Sequence, residues 1–191
     1  MQPMKGVIAA SFLLGFASLA QAHGAHEHGV ADLRVAVEGG ELSIELSTPL
    51  DNLVGFEHAP RTDAQRKAVA EAEARLRDFS ALFVLPAAAR CEVKDIELES
   101  PWHEAEHDHD HKHEQAHAHD HKHDDGHEHD AGHGDLHAHY ELSCAVPQAL
   151  NEVQVRLGEV FPRMTRVRAE TATPNGQNAA TLDKTRNRLP L

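Results

Sequence analysis

Between Ala105 and Asp135 the sequence carries no aliphatic side chain larger than alanine. Ordering a backbone costs roughly 1–2 kcal/mol per residue, and this stretch has no apolar surface whose burial would offset it. It is therefore excluded from any core, and without metal it is expected to be a disordered insertion. Whatever folds must be built from the flanks on either side.

Two cysteines, Cys91 and Cys144, bracket this insertion, 53 positions apart. The chain opens like an export signal: Lys5, an apolar run from Gly6 to Leu19, and the small-residue site Ala20-Gln21-Ala22. That reading makes residues 1–22 a cleaved signal peptide and His23 the mature N-terminus. A Lys-led signal with no lipobox cysteine favours a Gram-negative periplasm. The run is too short to span a bilayer, which needs roughly 20 apolar residues, so no membrane insertion is expected after cleavage. In an oxidising compartment an even cysteine pair is expected to form a disulfide, with reduced buried cysteines as the alternative. A bridge closing this loop stabilises by roughly 4 kcal/mol in the chain-entropy model. It is expected to anchor both roots of the insertion.

The flanks carry periodic patterns. From Ala31 to Ser47, Leu33, Val35 and Val37 alternate on one side of "EGG", and Leu42, Ile44 and Leu46 on the other, which predicts a β-hairpin with one buried face. Thr62 with Gln65 forms a possible capping box for a helix from about Asp63 to Asp78, with Ala68, Ala72, Leu76 and Phe79 near helical spacing. "ALFVLP" is a short apolar run, and Cys91 to Leu98 reads as a strand whose apolar phase shifts after Val93, the mark of a bulge. "LHAHYELSCAV" predicts a strand with Leu136, Ala138, Tyr140, Leu142, Cys144 and Val146 on one face. Further strands are expected at "VQVRL", near Thr165 to Thr171 and near Ala180 to Leu182, separated by "GEVFPRM" and "PNGQ" turns. The expected fold class is α+β: a small, mostly antiparallel β-sheet domain with one main helix, spanning residues 23–191 as one unit, with 101–136 as a His/Asp-rich loop.

Charge narrows the partners. The formal net charge is −13 with histidine neutral. Eleven acids stand between Pro101 and Leu136 against only Lys112 and Lys122. Nucleic acid and anionic lipid need basic patches and are disfavoured. The same loop holds a run of histidines: His103, His107, His109, His111, His113, His117, His119, His121, His123, His127, His129 and His133, continued by His137 and His139 on the following strand. "HDHKHE" from His109 recurs as "HDHKHD" from His119. Neutral imidazole suits zinc, copper and nickel, and carboxylates can complete a tetrahedral zinc shell. At three or four ligands per ion the tract could take roughly three or four ions at most. Redundant, interchangeable ligands favour capture, buffering or hand-over, because catalysis needs a fixed ligand set and an ordered second shell.

Ligands with geometry should lie on ordered elements. His137 and His139 share one strand face, and Glu141 continues that row. His23, His26 and His28 form a second group at the expected mature N-terminus. His58 stands alone in "GFEHAPRT", where a structural histidine beside a helix explains it as well as a ligand does.

"HEHGVADLRVAVEGGELSIEL", "PLDNLVGFEHAP", "HAHYELSC" and "VFPRMTRVRAETATPNGQ", in that order around a His-rich insertion, resemble the ZrgA-type family of zinc-regulated periplasmic proteins. The resemblance spans nearly the whole mature chain. It implies zinc binding in the periplasm in aid of zinc acquisition, alongside an ABC-type importer and its solute-binding protein. It also implies roles for His26, His28, the insertion and His137. His139 stands where the family more often has an acid, so its role rests on spacing, and "RLGEVFP" departs from a more aromatic form.

Two other readings stay open. A zinc hydrolase would use His137 and His139 as ligands and Glu141 as general base; the sequence has no H-E-x-x-H helix to support it, and no residue is read as catalytic. Nickel or copper could replace zinc, since copper outranks zinc at such sites in vitro. The absence of a Cys or Met cluster argues against a Cu(I) specialist: Met1 and Met4 lie in the signal, and Met164 stands alone.

Overall fold

The computed structural model describes residues 27–102 and 134–191. The expected signal segment, His23, His26 and the insertion histidines from His103 to His133 lie outside the described residues.

The predicted hairpin forms from β1 (Val30–Glu38) and β2 (Glu41–Pro49), paired from Asp32↔Ser47 to Glu38↔Glu41. Its turn uses Gly39 at φ 60°, a left-handed backbone that glycine adopts at least cost. Leu33, Val35, Leu42, Ile44 and Leu46 are buried as the alternation requires. After β2 comes a single turn of helix, α1 (Leu50–Val54). The main helix α2 (Asp63–Arg77) starts at Thr62, whose side chain accepts from the Gln65 amide while the Gln65 side chain returns to the Thr62 amide. That capping box satisfies two otherwise orphaned donors. Two further single turns, α3 (Phe79–Leu82) and α4 (Leu157–Val160), add to the one main helix expected.

Strands β4 (Cys91–Glu99) and β5 (Asp135–Cys144) flank the insertion and pair antiparallel, with the register shift between Val93 and Asp95 that the apolar phase predicted. β5 buries Leu136, Ala138, Tyr140, Leu142 and Cys144. Val146 lies beyond the strand's end and is only half-buried, a departure from the predicted face. β7 (Arg166–Thr173) and β8 (Gly176–Leu182) complete a six-stranded sheet in the order β4-β5-β2-β1-β7-β8. It is antiparallel except where β1 and β7 run parallel. Three short strands, β3 (Phe83–Val84), β6 (Glu152–Val155) and β9 (Arg188–Pro190), make a second sheet in the order β3-β6-β9 that the alternation did not reveal. The loop into β9 is gathered by Asp183, whose carboxylate accepts from the Thr185 and Arg186 amides, the Thr185 hydroxyl and the Arg186 guanidinium. These partners, the Thr185 hydroxyl foremost, hold its carboxyl well below the usual carboxylate range.

One face of the six-stranded sheet is core. Ala72 and Leu76 of α2, Leu82, Phe83, Val153, Val155 and Leu189 pack with the inward residues of β1, β2 and β5 in one cluster. Tyr140 stands at its centre, ring edge against Phe79 and Phe83, and its buried hydroxyl donates to the Leu76 carbonyl at 2.9 Å. Burial pushes that hydroxyl far above the usual phenol range. The opposite face of β4, β5 and β2 meets solvent. The β4 edge carries Glu92, Lys94, Asp95, Glu97 and Glu99, which disfavour pairing with another chain. Among the described residues no helix is long and apolar enough to cross a membrane.

Cys91 and Cys144 are joined, directly opposite each other in the β4–β5 register. The bridge therefore lies at the start of β4 and the end of β5, beside the hairpin turn, where the Cys144 amide donates to the Gly40 carbonyl. The insertion leaves from the other end of the same strand pair, roughly 25 Å away at about 3.3 Å per residue. The disulfide does not anchor the roots directly, as the bracketing cysteines had suggested. That task falls to contacts at the far end: the Leu50 amide donating to the Gly134 carbonyl, Pro101 against Gly134, and Trp102 stacked on Phe56. A Cβ at Gly134 would stand 2.3 Å from Pro101 Cγ, so any larger residue there would force Pro101 to shift. Removing the bridge in the Cys91→Ala/Cys144→Ala pair should lower stability by roughly 4 kcal/mol in urea unfolding.

Candidate metal-binding end of the sheet

The strand directions decide which histidines can meet. β1 begins at Val30, β2 ends at Pro49, β4 ends at Glu99 and β5 begins at Asp135, and the registers Asp32↔Ser47, Ser47↔His137 and Glu99↔His137 place these ends side by side. One end of the sheet thus receives His28, the turn from Gly55 to His58, both roots of the insertion, and His137. Positions more than a hundred residues apart in sequence share it.

His28 is the most firmly framed of these. Its neighbour Gly29, at φ 82°, donates its amide to Asn52 Oδ1 at 2.6 Å. Asn52 is buried, and its Nδ2 donates to the Val30 carbonyl at 2.8 Å and to Thr48 Oγ1 at 3.0 Å. The Gly29 carbonyl accepts from the Thr165 amide at 2.9 Å and the Arg166 amide at 3.0 Å, and Arg166 also pairs with Glu27. A Cβ at Gly29 would come within 3.0 Å of Thr165 Oγ1. The backbone that follows His28 is therefore clamped at Gly29, while the ring itself is 63% exposed. Its Nε2 faces Glu57 Oε1 at 2.7 Å, and that carboxylate's side chain is only 16% exposed.

Glu57 follows the end of α1. Gly55 closes that helix at φ 85°, its amide donating to the Asp51 carbonyl at 2.9 Å. Arg163 grips Asp51 with Nη2 at 2.8 Å from both carboxylate oxygens and Nε at 2.8 Å from its carbonyl. Beyond Glu57, His58 Nδ1 lies 2.9 Å from the Ala59 carbonyl, and its ring stacks on Phe56, which stacks in turn on Trp102. The "NLVGFEHAP" and "FPRMTR" segments are thus two halves of one frame around His28. Glu57, Asn52 and Arg163 were not singled out from sequence; the only signal was that they sit inside those segments.

His137, His139 and Glu141 share the outer face of β5, as their spacing predicts. Directly opposed residues point to the same face, so His139 lies between Glu45 of β2 and Glu97 of β4, and His137 between Ser47 and Glu99. His139 Nε2 is 3.3 Å from Glu141 Oε1 and Nδ1 is 4.0 Å from Glu45 Oε1. Both ring nitrogens of His139 therefore face carboxylates. Among the described residues no three His, Cys, Asp or Glu side chains are grouped to hold a metal ion. What the described residues offer is an anionic, histidine-bearing face and a framed His28, close to where the insertion leaves.

Asn52→Ala would strip partners from the Gly29 amide and the Val30 carbonyl. It should destabilise the protein by about 2–4 kcal/mol in urea unfolding, since each buried group left unpaired costs about 1–3 kcal/mol.

No curated protein gives a significant match to this sequence. A family model described as "ZrgA family zinc uptake protein" matches residues 25–191, a span that takes in β1, the framing segments, the insertion and every strand described above. The chain belongs to the ZrgA family of zinc uptake proteins.

Proposed function

We propose that this protein is a periplasmic zinc-binding accessory protein that captures zinc, buffers it and delivers it to a high-affinity uptake system. The family supports zinc uptake. The observation that carries the finer reading is topological: the fold brings His28, His58, His137 and both roots of the histidine tract to one end of a rigid sheet. A tract of interchangeable ligands exchanges ions readily, and an acidic field raises the local cation concentration. Release beside a framed imidazole suits hand-over better than storage alone. The natural recipient is the solute-binding protein of a zinc ABC importer, reached in the periplasm after cleavage of the signal segment.

The role is binding rather than catalysis. A hydrolase built on His137, His139 and Glu141 would need Glu141 free as a base, whereas Glu141 lies against His139. Deleting the insertion separates the readings, because an enzyme keeps its activity and a capture protein loses most of its zinc. Nickel and copper would bind the same ligands in vitro. Which metal's starvation makes cells depend on the protein identifies the physiological one.

Calorimetry on the mature protein, freed of chelator, should show roughly three or four zinc ions bound. A total of one or fewer contradicts buffering. Imidazole must be neutral to bind, and its reference pKa is about 6.5, so protons compete as the pH falls. Apparent affinity should therefore be full well above that value and lost below it. Equal affinity on both sides would mean carboxylate ligands instead.

A further inference from the structure

A metal can use only the imidazole nitrogen that carries a lone pair, and the partner of the other nitrogen decides which one that is. An ionised carboxylate accepts hydrogen bonds and cannot donate. His28 Nε2 lies 2.7 Å from Glu57 Oε1, a contact in which an ionised carboxylate accepts the Nε2 proton and leaves the lone pair of a neutral imidazole on Nδ1. The ring is 63% exposed and the carboxylate 16%, so the side that holds the proton faces protein.

We propose that His28 binds zinc through Nδ1 at the root of the insertion and that Glu57 is its positioning residue. This rests on the zinc-capture reading above and names the place where an ion meets a ligand of fixed geometry. Three features distinguish the pair from a chance surface contact. The carboxylate is largely withdrawn from water, so its hydrogen bond to Nε2 meets less competition from solvent. The backbone that follows the ring is held through Gly29 with Asn52 and Thr165, and the side chain of the preceding Glu27 pairs with Arg166, so less ordering remains to be done when a metal arrives. And Glu57 is itself carried on a segment whose start is pinned by Arg163 to Asp51. A carboxylate behind a ligating imidazole fixes its tautomer and raises its basicity, and losing such a partner typically costs about 10–100-fold in metal affinity.

His139 marks the contrast. Its Nε2 also approaches a glutamate, but Glu45 lies on the Nδ1 side. Among the described residues His28 meets one carboxylate, on Nε2, and no other partner of its ring is found, which is the arrangement a ligand needs.

The test reads His28 by itself in the full mature chain. Long-range proton–nitrogen NMR spectra of the imidazoles, recorded at pH 7.5 with His28 assigned by difference from His28→Ala, report which nitrogen is protonated. Chelator-buffered zinc titrations then give the free zinc at which that signal moves. The zinc-free ring should be the Nε2–H tautomer, and zinc should shift Nδ1. Glu57→Ala should mix the tautomers and raise the midpoint for His28 about 10–100-fold, with the total number of zinc ions little changed. Glu57→Gln, whose amide oxygen can still accept from Nε2, should restore the Nε2–H tautomer and recover much of the midpoint. A His28 Nδ1 that does not respond to zinc, zinc bound at Nε2, or a midpoint untouched by Glu57→Ala would overturn the proposal. The total stoichiometry judges zinc capture independently, so failure of one reading is distinguishable from failure of the other.

Discussion

The pairing of β4 with β5 is the constraint on which the rest depends. These strands enclose the segment that cannot join a core, and their ladder must close a loop of more than thirty residues without help from the loop itself. The sequence meets that demand with apolar alternation on β5, which contributes five buried residues and lies between β4 and β2. Tyr140 then ties β5 to α2, so helix, second sheet and six-stranded sheet share one core. The disulfide reinforces the same pair from the opposite end. Held at both ends, the two strands act as a rigid base from which the histidine tract departs.

This arrangement separates the folding core from the proposed metal ligands. In small metal-dependent domains the ligands are also the core, and binding energy is folding energy. Here the core is aliphatic and aromatic, with Leu, Ile, Val, Phe and one Tyr in a continuous cluster. The metal ligands proposed above belong to the solvent face, one sheet end and the insertion. Loading and unloading ions should leave the scaffold intact, which a protein that gives up its cargo requires. The acids around His137 and His139 add attraction for cations without forming a rigid cage.

Much of the scaffold was legible because its signals are local. The hairpin, the capping box at Thr62 and Gln65, and the bulge after Val93 each follow from a few consecutive residues. The β1–β7 parallel pairing and β9 were not legible: the first joins segments from opposite ends of the chain, and the second buries little beyond Leu189. The cysteines were read correctly as a pair but misplaced relative to the insertion, because bracketing in sequence says nothing of the strand length between. The candidate site shows the same division. His28 was visible by type and spacing, whereas Glu57 became informative only when the fold set it against a ring 29 positions away.

The central claim is that a scaffold folded without metal receives zinc at one end of its sheet. Amide hydrogen exchange on the mature protein, with and without zinc, tests it most directly. The account predicts strong protection of β1, β2 and β5 in the zinc-free state, with zinc-dependent changes gathered around His28, the Phe56–His58 turn and the strand ends at Glu99 and Asp135. Little should change near Cys91 and Cys144. An unprotected zinc-free core, or zinc effects spread evenly along the strands to the disulfide, would contradict it.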